Sequence, residues 1–254
     1  MPNVRQAAIK TASGQACLLA FDRADAAALK WARTKAAQMV TEIGATTRTA
    51  IREIVARAVA EGIPPRQASR LIRDVVGLHS NQAAAVANLR QELLDAGARA
   101  TQRGRAVSVT YGQQTERVVG APAGPGRVRI RRSTVRVPPG GLPPDRVSAL
   151  IQRYAERLRR QRALSIARSE SIAASTRGQQ EMWRQNVSSG LLRGTEKQKW
   201  LTSRDERACQ ICMALNGQEV PLGGVFQSPF VGEISGPPAH TNCRCAVGLA
   251  VERG

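Results

Sequence analysis

The C-terminal quarter of the chain reads C-x2-C at Cys209 and Cys212, then 27 residues, then H-x2-C-x-C at His240, Cys243 and Cys245. This spacing constrains the fold more than any other feature. A two-residue gap lets both donors of a tight turn point at one ion. A tetrahedral zinc, with bonds of about 2.3 Å to sulfur and about 2.1 Å to nitrogen, requires two such turns to meet. Any four of the five donors suffice, so the last corner stays open between Cys243 and Cys245. Disulfides and free thiols are the competing readings. A reducing cytosol disfavours the first, and one histidine with four cysteines inside 37 residues disfavours the second. The fifth cysteine, Cys17, stands far upstream and reads as an inert thiol.

Between the two turns lie mostly turn residues and short apolar pieces. The sequence therefore predicts a tail too poor in apolar side chains to build a core, folded by a structural zinc, with residues 197–250 unfolding on chelation. Catalysis is not expected. A catalytic zinc keeps an open position and a nearby general base, and the candidates Asp205, Glu206 and Glu233 sit in no H-E-x-x-H or H-x-E pattern. No Walker loop, nucleophile elbow or kinase signature occurs in the sequence.

Aromatic residues make up only 3% of the 254 residues and alanine is abundant, which points to a mainly α fold whose core is built from small and aliphatic side chains. The formal net charge is +19. Split by position it is +6 over residues 1–100, +14 over 101–200 and −1 over 201–254. Such a basic block lies in solvent or against a polyanion: DNA, RNA or an acidic protein surface. The start "MPNVRQAAIKTASGQ" lacks the apolar run of a signal peptide, and no stretch of about 18 apolar residues follows, so a cytosolic protein is expected.

Five segments follow from punctuation and periodicity. Residues 1–24 form an N-terminal arm and 25–100 a helical domain. In it Leu29, Ala32, Ala36, Val40, Ile43, Thr47, Ile51, Ile54 and Ala58 recur at helical steps, as one long helix or two stacked at Gly44. Gly62 and Pro64–Pro65 end that stripe and start a second helix, Gly77 closes it, and Ser80 caps a third running to about Leu94. Residues 64–94 have the outline of a helix-turn-helix, with an ordinary helical hairpin as the plainer reading; His79 is a turn residue, not a ligand.

Residues 101–144 alternate apolar with polar or basic residues, predicting a basic β-hairpin or linker whose Arg127, Arg129, Arg131, Arg132 and Arg136 can pair with phosphates. Asp145 caps a long basic helix over 145–195, with Val147, Leu150, Ile151, Tyr154 and Leu158 on one face and Arg153, Arg157, Arg159, Arg160 and Arg162 on the others. Residues 196–254 form the small α+β, zinc-knuckle-like end of an elongated molecule.

The stretches "KQKWLTSRDERACQICMALNGQEV" and "PPAHTNCRC" resemble the tail of phage head morphogenesis proteins of the Mu F type, which are minor capsid proteins. The motif positions are Trp200, Thr202, Asp205, Arg207, Cys209, Cys212, His240, Cys243, Arg244 and Cys245. Upstream, "ALSIARSESIAAS" resembles the A-R-T-E helix of that family, which places Arg168 and Glu170 in the motif. Ser169 stands where Thr is usual, and Thr241 where Pro commonly follows the histidine. The resemblance implies a non-enzymatic component inside the head, associated with the portal and affecting head assembly, DNA packaging or ejection. Its implied partners are the portal protein, the inner surface of the major capsid or scaffold protein, and packaged DNA bound without sequence preference. It implies a location in the capsid interior, with assembly in the host cytoplasm and no membrane contact. The rival expectation is a zinc-containing DNA-binding regulator or recombination factor that reads duplex through residues 64–94.

Overall fold

The computed structural model describes residues 7–10, 16–19, 26–36, 40, 43–112, 133–203 and 208–250. Strands β1 (Ala7–Lys10) and β2 (Ala16–Leu19), which holds Cys17, pair antiparallel. Helices α1 (Ala26–Lys35) and α2 (Ala45–Glu61) divide the long apolar stripe between them. Gly44, in extended backbone, is the N-cap of α2, so the two-helix alternative is the one adopted. Gly62 at φ 66° takes the left-handed turn that few other residues tolerate, and its N–H reaches the carbonyls of Ala58 and Val59. Pro65 then opens α3 (Pro65–Val75), where a missing N–H costs nothing.

Helix α4 (Ser80–Arg103) departs from its sequence expectation at both ends. The cap is His79 instead of Ser80: its Nδ1 accepts from the Asn81 N–H at 3.3 Å, and Gln82 Oε1 accepts from the His79 N–H at 3.1 Å. The helix also runs nine residues past Leu94, because Ala96, Gly97 and Ala100 continue its buried stripe. Strands β3 (Val107–Tyr111) and β4 (Ser133–Val137) form the antiparallel pair that the alternation predicts, with Val109 opposite Val135 and both buried. Arg136 points outward. Arg127, Arg129, Arg131 and Arg132 lie outside the described residues.

Helix α5 (Pro144–Ser188) is 45 residues long, about 67 Å at 1.5 Å per residue. Pro143 is its N-cap and Asp145 sits in its first turn, where a carboxylate favours the helix dipole without capping it. Three cores are strung along this one helix. Leu150, Tyr154 and Leu158 pack with Leu89, Leu93 and Ala96 of α4 and with the β3–β4 pair. Ala163, Ile166, Ala167 and Ala174 pack with α1, α2 and α3. That middle core takes eight of its fourteen buried members from alanine, which lets helix backbones approach closely.

Helix α4 also meets the loop before α5 closely. A Cβ on Gly97 would lie 2.9 Å from Gly141 Cα, and Thr101 Oγ1 accepts from the Gly140 N–H at 2.8 Å. Gly97→Ala forces backbone against backbone, so a loss of about 1–3 kcal/mol is expected in chemical unfolding.

The third core surrounds the tail. Strand β5 (Lys197–Leu201) lies between β6 (Glu219–Pro221) and β9 (Ala246–Ala250), both antiparallel to it; α6 (Gln210–Leu215) and the hairpin of β7 (Phe226–Ser228) and β8 (Gly232–Ile234) complete the fold. Trp200, Leu215, Phe226 and Val247 are buried here, with Trp200 and Phe226 edge to face at 5.2 Å. The expectation of a coreless tail is therefore corrected. The tail makes a core because it adds Leu192 and Trp183, the latter from the end of α5, to its own few large side chains. A polar link reinforces the joint. Gln198, fully buried, accepts from Gln180 Nε2 of α5 at 3.0 Å and donates to the Gly224 carbonyl at 2.9 Å.

Candidate metal centre

Two turns carry the donors. Cys209 is the N-cap of α6, and its sulfur accepts from the Cys212 N–H at 3.5 Å, so the C-x2-C turn is wound by the helix start. The second turn runs from His240 to Cys243, closed by the Cys243 N–H donating to the His240 carbonyl at 3.1 Å. Asn242 takes φ 61°, a left-handed conformation that asparagine tolerates better than most residues. Helix α5 fixes this turn in place: Ser169 Oγ accepts from the Asn242 N–H at 3.0 Å, and the Asn242 side chain donates to Ser165 Oγ at 2.8 Å. Ser165 and Ser169 lie one helical turn apart on α5 and present both oxygens to the same loop. Ser169→Ala leaves a part-buried N–H without its acceptor, so a loss of about 1–2 kcal/mol is expected from thermal melting.

The turns meet. His240 Nε2 lies 3.1 Å from Cys209 Sγ and 3.0 Å from Cys212 Sγ, and Cys212 Sγ lies 3.8 Å from Cys243 Sγ. Cys209, Cys212 and His240 form one set of donors within 4.8 Å of one another; Cys212, Cys243 and Cys245 form a second, with Cys212 shared. A tetrahedral ion with bonds of about 2.3 Å separates its sulfurs by about 3.8 Å, so the Cys212–Cys243 edge has the right length. The sulfur–nitrogen edges are about half an ångström short of that geometry and open as bonds form. His240 Nδ1 sits 2.8 Å from the Thr241 carbonyl, which holds the proton on that nitrogen and leaves the Nε2 lone pair facing the sulfurs. Either set of donors can bind a metal ion.

The thiols are crowded enough to disturb one another. Contacts with Cys243 and Cys245, together with burial, push the Cys212 thiol far above its ordinary range. Cys245 is held well below its ordinary range, first by the thiols of Cys212 and Cys243 and then by the Thr202 hydroxyl. Three neighbouring sulfurs cannot all ionise unaided; a divalent cation among them reverses that balance.

The remaining motif residues fall at different distances from the cluster. Thr202 donates through Oγ1 to the Cys212 carbonyl at 2.9 Å and lies 3.4 Å from Cys245 Sγ. Arg244 is exposed and lines the cleft beside the donors. Glu170 is buried within α5, Arg168 is exposed on it, and neither Glu170 nor Arg244 is without a partner. Asp205 and Arg207 lie outside the described residues. The α5 arginines are mostly engaged within the chain. Arg157 donates to Ser133 Oγ of β4 at 3.3 Å and Arg162 to the Gly77 carbonyl at 3.0 Å, bracing α5 against two neighbours. Arg159 and Arg160 flank Glu156, which also meets Arg73 of α3, and Arg153 donates to the Ala149 carbonyl. Sequence reasoning missed Ser165 and Asn242; the only signal was a serine pair at helical spacing.

Fold and site together define a mainly helical protein with a Cys/His cluster tied to the middle of its 45-residue helix α5. Residues 145–248 match the family described as phage Mu protein F like protein, about two-fifths of the chain. The match covers the long helix and tail in which the motif resemblance lies, and it suggests a phage head morphogenesis protein and virion component. No curated protein and no solved structure matches the chain. Among the described residues no helix is long and apolar enough to cross a membrane.

Proposed function

We propose that the chain is a non-enzymatic minor capsid protein of a phage head, held in the capsid interior beside the portal, and that its Cys/His cluster binds one structural zinc. The observation that carries this reading is the family match over residues 145–248, whose donor residues, far apart in sequence, come together as two groups that share Cys212. In this role α5 and the tail supply contacts to the portal and to the inner surface of the major capsid or scaffold protein during assembly in the host cytoplasm. Arg136, Arg153, Arg159 and Arg160 are exposed and supply a sequence-independent hold on packaged DNA, weakened by salt as phosphate contacts are. Zinc, when bound, cross-links the two turns; Thr202, Ser169 and Asn242 hold the ligand turns in register around it.

Mass spectrometry of purified particles, paired with gel shifts on random and selected duplexes, tests the reading. The expected result is co-purification with particles and weak, unselective DNA binding that fades with salt. Absence from particles with tight, sequence-selective binding refutes it in favour of a DNA-binding regulator.

A further inference from the structure

The sequence leaves the last zinc corner open between Cys243 and Cys245. We infer that Cys245 is the fourth ligand and that Cys243 is a supporting thiol behind it; this assignment rests on the zinc reading of the cluster. The void between the two turns is bordered by Cys209, Cys212, His240 and Cys245, with Thr202 and Arg244 at its rim. Cys243 does not border it. It is 1% exposed, and although its sulfur lies 3.8 Å from Cys212 Sγ, a length a shared ion could also span, it stands outside the void where the other donors face one another.

The sheet explains why Cys245 faces the void. In the β5–β9 ladder Leu201 pairs with Ala246, so continuing the register by one residue sets Thr202 beside Cys245. Their side chains meet at 3.4 Å, and Thr202 Oγ1 also holds the Cys212 carbonyl. One hydroxyl thus positions ligands from both turns, which gives this residue a definite role at the metal site. Cys243 and Cys245 both belong to the buried cluster of Trp200, Phe226 and Val247, and Cys243 lies the deeper of the two, 1% exposed against 4%. From its place beside Cys212 it can donate an S–H to that ligand sulfur, the kind of outer contact that tunes a metal site without binding the ion.

The full-length chain as wild type, Cys243→Ser and Cys245→Ser tests the assignment. Each is titrated with zinc against a chromophoric chelator and reconstituted with cobalt(II), whose thiolate charge-transfer band scales with the number of bound sulfurs. The wild type is expected to take up about one zinc. Cys245→Ser should weaken uptake by more than about a hundredfold and cut the cobalt band by about a third. Cys243→Ser should weaken uptake by about tenfold or less and keep the band. Should Cys243→Ser fail to fold, Cys243→Ala, which keeps the site apolar, supplies the same comparison. The reverse pattern, or equal effects in both variants, overturns the assignment and leaves the zinc reading standing. A folded wild type that takes up no zinc overturns both.

Discussion

Trp200→Ala is expected to melt the tail while leaving α1 to α5 folded. Trp200 is fully buried on β5, the middle strand of its sheet, edge to face with Phe226, and no residue of the other two cores belongs to its cluster. Deleting an indole from a packed core costs about 3–5 kcal/mol, a large share of the 5–15 kcal/mol that holds a typical domain together. Chemical unfolding followed by circular dichroism should show an early transition in the variant. Limited proteolysis should cut just beyond α5, near Gly190, and spare the helices. Trp200→Phe, which refills much of the volume, should recover most of the loss. A Trp200→Ala protein that unfolds in a single transition at the wild-type midpoint would sink the claim that the tail has a core of its own.

On the proposed zinc reading, a strong chelator should open the two ligand turns and leave the three-stranded sheet in place. This is a milder outcome than the sequence alone predicts. The reason lies in the packing: Trp200, Phe226, Leu215 and Val247 bury one another, and the β6–β5–β9 ladder is bonded without help from the sulfurs. Zinc present at about a thousand times its dissociation constant adds about 4 kcal/mol to stability, which chelation removes. The expected result is a lower melting temperature, fast hydrogen exchange around Cys209–Cys212 and His240–Cys245, and persistent protection at Lys197–Leu201 and Ala246–Ala250. Loss of protection throughout the sheet means that the ion carries the whole tail. No change in either measurement means that no ion was bound.

Local rules read well from this sequence where one residue decides the geometry. Gly62 and Pro65 place a helix end and a helix start, the alternating valines place the β3–β4 pair, and the two-residue spacings place the donor turns. Single residues failed as guides where two choices compete. Ser80 is the commoner cap, but His79 is already fixed by Gln82, and only the pair together reveals it. The end of α4 follows a local signal that went unread: Leu93, Ala96 and Ala100 continue the stripe, and Gly104 at φ 62° ends it. Long-range contacts were the least visible. Trp183 completes the tail core, and Ser165 meets Asn242 across 77 residues; nothing in either segment names the other.

Because α5 runs unbroken through all three cores, it fixes their separation and their relative bearing as a spacer rod would. Each residue of helix carries a rotation of about 100° with its 1.5 Å of rise. Adding or removing one residue between Leu158 and Ala163, before the tail's first bond to the helix at Ser165, therefore swings the tail to a different side of the β3–β4 end while barely changing its reach. Seven residues nearly restore the bearing and extend the reach by about 10 Å. If the two ends grip different surfaces, their spacing and angle are set in the genetic length of one helix.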